Sequence, residues 1–229
     1  MNTRVWLNVV AFAAGTVCVA GMSGCALLSK SDAVPVRYFA LESPKTTGAS
    51  SASAAQAAPG LDLRLGKVAT ASYIRERVAY RPSDHELAYY EQWRWTERPD
   101  AVLRRALGRE LFETRALKQR VTGTGITLEV EVDAFEELKA PEHRAHVALT
   151  WLLRDDHDVF VQRTFAVDKP IADNEPASIA VALADALAAS VTSIANETQA
   201  ELPRIADRAN AADEKRKSDV TNPPAKKTP

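Results

Sequence analysis

From Ile126 onward the apolar residues recur at every second position, and this alternation constrains the fold more than anything else in the chain. Ile126, Leu128, Val130 and Val132 point one way, with Thr127, Glu129 and Glu131 between them. Ala145, Val147, Leu149, Trp151 and Leu153 repeat the pattern, and 159–167 returns after the polar run Arg154-Asp155-Asp156-His157-Asp158. A period of two marks a strand with one buried face. Three such strands joined by short polar turns predict an antiparallel meander. Its apolar face must be covered, and two segments with apolar residues spaced by three and four can do so. One spans 99–114, with Val102, Leu103, Ala106, Leu107 and Leu111. Pro99 suits its first turn, where a missing amide costs nothing. The other spans 175–200, with Ile179, Leu183, Leu187, Val191 and Ile194. Asp173 or Asn174 can cap it, Pro176 sits near its start and Pro203 is expected to close it.

Upstream, the runs 36–41, 61–69, 74–80 and 87–93 read as further strands, with Pro82-Ser83-Asp84 as a turn between the last two. Residues 43–60 are dominated by Ser, Ala and Thr and read as a low-complexity insertion in a surface loop, which costs little entropy. From Ala206 the chain is charged and finally rich in Pro and Lys, with almost no apolar side chain to bury, so 204–229 is expected to be a disordered tail. The expected fold class is α+β: a mostly antiparallel sheet with two long helices packed on one face. The domain spans 36–203 and is large enough to bury a core without disulfides.

The N-terminal segment has a different logic. A basic start at Met1–Arg4, an apolar run from Val5 to about Ala20 and small residues after it make a secretory signal. The run is roughly 16 residues, short of the ~20 that span a bilayer. Met22-Ser23-Gly24-Cys25 resembles the bacterial lipobox, with Met where Leu is usual. That resemblance implies removal of 1–24, a diacylglyceryl thioether on Cys25, and an N-acyl chain such as palmitate on its freed amine. Two or more acyl chains hold a protein stably on a membrane, so 25–35 becomes a lipidated tether. Ala26-Leu27-Leu28 lacks the retention Asp used in enteric bacteria, which points to the outer membrane, periplasmic face. Cys18 leaves with the signal, so no cysteine remains for a disulfide or thiol catalysis.

Several blocks then resemble one family. Val36-Arg37-Tyr38-Phe39-Ala40-Leu41, soon after the lipidated Cys, resembles the opening strand of the ABC-type transport auxiliary lipoproteins. Leu65 to Arg81 resembles their second block. Trp95-Thr96-Glu97-Arg98-Pro99 with Val102-Leu103-Arg104-Arg105-Ala106-Leu107 resembles their Trp leading into a first helix. The resemblance covers roughly Arg37 to Leu202. It implies a non-enzymatic accessory subunit that docks a periplasmic protein with mammalian-cell-entry (MCE) domains, together with its permease and ATPase, and helps move phospholipid between the two membranes. The alternative is an envelope-assembly lipoprotein that binds another outer-membrane machine by adding to its sheet edge.

The remaining residues exclude more than they suggest. The formal net charge is −1, which argues against nucleic acid as a partner. There is no nucleophile motif, no Gly-rich phosphate loop and no Cys–His pairing, so no catalytic residue and no cofactor beyond the Cys25 lipid is expected. His143 and His146 lie three apart on a strand, on opposite faces, which disfavours a metal pair. The run Asp155–Asp158 lacks the Gly and distal Glu of a calcium loop and reads as a solvated turn. Glu129 and Glu131 alternate with apolar residues and read as a wet strand face. For partner binding the candidates are the aromatic stretch Tyr89, Tyr90, Trp93 and Trp95, since such residues anchor interfaces, and a second surface with Tyr73, Arg75, Arg77 and Arg81. Regular alternation places Tyr89, Trp93 and Trp95 on one face, with at least one packed under the first helix.

Overall fold

The structure is a computed structural model that describes residues 34–41, 62–122 and 125–221, with 209–221 given as backbone. The signal segment, Cys25 with most of its tether, the low-complexity stretch 43–60 and the last residues, 222–229, lie outside the described residues. The compact unit begins at Val36. Its strands are β1 (Arg37–Phe39), β2 (Leu63–Thr70), β3 (Arg77–Ser83), β4 (Glu86–Trp95), β5 (Ile126–Leu138), β6 (Arg144–Arg154) and β7 (Val159–Pro170). Helix α1 (Pro99–Gly108) runs into a wider π-helical turn over Arg109–Thr114, and α2 spans Pro176–Thr221.

The seven strands form one sheet in the order β1-β4-β3-β5-β6-β7, with β2 also paired to β5. The meander β5-β6-β7 is antiparallel, as its alternation predicts. The sheet as a whole is mixed, which corrects the expectation of a mostly antiparallel one. β1 runs parallel to β4, and both β2 and β3 run parallel to β5. Hydrophobic alternation fixes which face of a strand is buried and is silent on direction; direction follows from the connections. For β2 and β3 the long excursion through β4 and α1 acts as the crossover that parallel pairing with β5 needs.

β5 is the axis of the sheet. One of its edges is shared: 126–132 pair with β2, and 136–138 pair with β3. Between them the β5 register shifts after Val132. The loop from β2 to β3 closes the gap, with the Ala71 amide donating to the Val132 carbonyl (2.9 Å) and the Tyr73 hydroxyl donating to the Asp133 carbonyl (3.1 Å). A second irregularity lies in β2 between Leu65 and Val68. Gly66 sits there because a Cβ would fall 2.5 Å from Thr127 Cγ2, and Arg104 of α1 donates to its carbonyl (2.6 Å).

The core lies between the sheet and the helices. Ala145, Val147, Leu149, Trp151 and Leu153 of β6 are fully buried, as are Leu103, Leu107 and Leu111. The expected stripe Ile179, Leu183, Leu187, Val191 and Ile194 of α2 is buried against them. By length and composition 176–208 could cross a bilayer, but this apolar stripe is spent on the sheet. At its start Glu175 takes the N-cap position, its carbonyl accepting the Ile179 amide (3.2 Å), and Asp173 Oδ1 accepts the Glu175 amide (2.9 Å) in a turn just before the helix rather than as the cap.

Two ends differ from the sequence reading. Ser83 still belongs to β3, so the hairpin turns at Asp84-His85. Pro82 is tolerated in the strand because β3 pairs with β5 only as far as Arg81. Pro203 does not close α2, which continues to Thr221. Leu202 and Ile205, on either side of the proline, are both buried in the core, and that packing outweighs one lost helical hydrogen bond. The expected disordered tail is therefore helical as far as Thr221.

Candidate functional site

The partner-binding candidates divide between the two faces of the β1-β4-β3 half of the sheet. A bulge in β4 decides the division. Ala79 pairs with Tyr89 and Arg77 with Arg94, so β4 carries extra residues between those pairs. Tyr90 and Trp93, which regular alternation would separate, consequently stack with ring centroids 3.6 Å apart. Tyr89 falls on the opposite face, which corrects the placement of Tyr89 with Trp93 and Trp95. Trp95 is 3% exposed and meets Phe135 edge-on at 5.6 Å, so it belongs to the core rather than to any surface.

On the helix-side face a half-buried aromatic row results. Phe39 meets Trp93 edge-on (6.2 Å), Trp93 stacks on Tyr90, and Tyr90 lies against Tyr80 (4.6 Å). The Lys139 ammonium closes the row over the Tyr80 ring at 4.2 Å. Under it lies Glu137, 1% exposed. Its carboxylate accepts the Tyr90 hydroxyl (2.6 Å) and lies 2.6 Å from His143 Nε2. Burial first, and then the bond to Glu137, push the Tyr90 phenol well above its usual range.

On the other face Arg81 grips Glu136 with Nε–Oε1 at 2.7 Å, the carboxylate being 3% exposed. The pairing bond raises the Arg81 pKa further. Tyr73, pushed up by burial and then by the Glu136 charge, bonds to Asp133, and Tyr89 donates its hydroxyl to the Tyr73 carbonyl (3.0 Å). These bonds tie Tyr73, Tyr89 and the β2–β3 loop into one wall of an open cleft of about 880 Å³. Arg75, Arg77, Arg94 and Arg98 also line it, with Glu76 its one carboxylate. Sequence reasoning singled out Arg75 and Arg77 and missed Arg94 and Arg98, because the β3–β4 register that brings them together has no local signal.

The remaining titratable residues spread apart. His146 Nδ1 lies 2.6 Å from Asp168 rather than beside His143. Asp155 accepts the amides of His157 and Asp158, which hold its carboxyl below the usual range and make the expected turn. Glu129 pairs with Arg154 (2.7 Å). Among the described residues no three His, Cys, Asp or Glu side chains converge as metal ligands would.

Comparison with known proteins bears on the whole domain. The model of the family described as "ABC-type transport auxiliary lipoprotein component" matches residues 39–195. The crystal structure of protein XCC0632 from Xanthomonas campestris, a DUF330 protein, has the same fold, with a TM-score of 0.65 at 22% identity over 75% of this chain and 99% of that one. A second crystal structure, of an uncharacterized protein, matches with a TM-score of 0.56 at 18% identity over 72% of this chain and 99% of that one. No curated protein matches the chain.

Proposed function

The chain belongs to the family of ABC-type transport auxiliary lipoprotein components, and from that membership we propose that it is the outer-membrane-anchored, periplasmic accessory subunit of an ABC system with an MCE-domain partner. The match over 39–195 carries this reading, since it runs from the end of β1 to the middle of α2 and so takes in almost the whole sheet. Membership supports an auxiliary role in an ABC transport system, with the protein held at a membrane. The finer parts of the proposal rest on the sequence. Cys25, after Met22-Ser23-Gly24, would carry the diacylglyceryl and N-acyl chains, and Ala26-Leu27-Leu28 would send the protein to the outer membrane. There it would hold the MCE assembly while phospholipid moves between membranes, without doing chemistry itself.

The exposed part of the candidate surface supports docking of a protein. The row Phe39, Trp93, Tyr90 and Tyr80 offers large rigid side chains of the type that anchor interfaces. The edge strand β1, with Val36 47% and Tyr38 66% exposed, favours the second reading, an envelope lipoprotein that pairs its edge with another machine. Affinity purification of the tagged lipoprotein from detergent-solubilised envelopes separates the two. Recovery of an MCE-domain protein with permease and ATPase is the expected result; recovery of a different outer-membrane complex alone would remove the transport reading. The Cys25→Ser variant should fold and leave the membrane fraction, and a variant that still sedimented with membranes would refute the anchor.

A further inference from the structure

We propose that the cleft between the β2–β3 loop and β4 binds a phosphate group, with Arg77 and Arg94 as its principal ligands. This goes beyond the accessory role and stands on the geometry of the cleft alone. Arg77 and Arg94 are direct cross-strand partners on the face turned away from the helices. Like charges placed opposite each other in a sheet repel and lower its stability, so an Arg–Arg pair with no anion between them is a cost to the fold. Among the described residues no ion pair to Arg77 or Arg94 removes that cost. Arg94 donates Nη1 to the Tyr90 and Trp93 carbonyls (3.2 and 3.0 Å), which orients the guanidinium and leaves its charge in place. Arg75 is oriented in the same way by the Ser72 carbonyl (3.1 Å). Arg77 is exposed and has no hydrogen bond or ion pair with any described residue. Arg98 is the exception, since Asp100 takes its charge (3.1 and 3.3 Å). Two oriented guanidiniums, Arg75 and Arg94, and the unpaired Arg77 thus line one cleft whose described lining holds a single carboxylate, Glu76.

The geometry selects among anions. A carboxylate is planar and accepts one guanidinium fork, whereas a tetrahedral phosphate presents oxygens to two adjacent forks at once. The tyrosine hydroxyls of the wall have given their protons to carbonyls, so the positive groups available to a ligand are the arginines. A cleft of about 880 Å³ is far larger than inorganic phosphate needs and matches sites for small organic ligands. The ligand class is therefore a phosphate ester, reaching the site as a soluble ester or as a phospholipid headgroup.

The test uses the mature full-length protein in neutral-detergent micelles, treated with phenylglyoxal and read by peptide mass spectrometry. Glycerol 3-phosphate and short-chain dihexanoyl phosphatidylglycerol are added in separate arms against sodium chloride of equal ionic strength. Modification of Arg77 and Arg94 should slow several-fold, with exposed Arg109, at the start of the π-helical turn and outside the cleft lining, unchanged. Ligand should also raise the melting temperature of the parent and not of Arg77→Met. Without ligand, Arg77→Met should melt no lower than the parent, because it removes the repulsion. Protection by both compounds identifies a soluble phosphate ester as sufficient; protection by the lipid alone identifies the headgroup as the source. Equal protection by chloride, protection by neither compound, or protection only by polyglutamate overturns the proposal. Should Arg77→Met fail to fold, the protection pattern on the parent protein decides alone.

Discussion

Single residues in this protein do work that composition hides. Gly66 is needed for space: a methyl there meets Thr127 and the carbonyl of Leu128 in the next strand. Gly66→Ala should therefore lower stability by about 1–3 kcal/mol, the usual cost of overpacking, measured by urea unfolding. Ala116 presents the reverse case. It ends the first helical segment with φ of 53°, where Gly is usual, and the Leu117 amide donates back to the Leu111 carbonyl (3.0 Å) as in a glycine-closed helix end. An L residue pays about 1 kcal/mol or more for that conformation, partly offset by the greater unfolded-state freedom of Gly. Ala116→Gly should raise the unfolding free energy by roughly 0.5 kcal/mol by the same two effects, and a drop on unfolding would disprove the strain. Glu137 shows how a buried charge is kept. Two partners, Tyr90 and His143, meet it at opposite oxygens, and neither link could be inferred from spacings of 47 and 6 residues.

At the scale of elements, the meander and both helix stripes were legible, because burial of one face writes itself into the sequence with a period of two or of three and four. Pairing direction was not legible, since Leu63 and Leu65 of β2 alternate identically whether β5 runs with them or against them. The candidate surface failed for a related reason: one bulge in β4 exchanged Tyr89 for Tyr90 beside Trp93, and bulges have no reliable local signature. The end of α2 was misread because a proline is a local signal and its override is tertiary. Truncation should expose this. A chain ending at Arg208 should unfold at the same urea concentration as the full mature protein. One ending at Pro203 loses buried Ile205 and should be less stable by about 2–4 kcal/mol, the range for deleting a large apolar core side chain.

At the scale of the whole molecule, charge among the described residues is arranged as pairs and small clusters, such as Lys118–Asp62–Arg120 and Glu197–Arg163–Glu201–Arg204, rather than as one network, and this sets the response to acid. Asp62 is held below its ordinary value of 3.8 by hydrogen bonds from Lys118 and then Arg120, and Glu97 below 4.5 by Arg105. Asp155 is lowered by the backbone amides of its turn, and Asp173 by Ser178 and then the Glu175 amide. A carboxyl with a depressed folded pKa stabilises the fold above its unfolded value and loses that contribution as pH falls through the folded one. The melting temperature should therefore be nearly level from pH 7 to about 5 and decline below about pH 4, and a decline complete above about pH 5 would contradict this account. The sheet order has a mechanical consequence as well. Any pull between an N-terminal anchor and a partner held by the body enters through β1, which is bound to β4 over three residues. Once that clip shears, the next described strand along the chain to take load is β2, which starts at Leu63. In an optical trap the first event should be the release of β1, which takes Phe39 out of the aromatic row and Leu41 out of the core while β2–β7 stay folded, so the protein would yield first at a breakaway link.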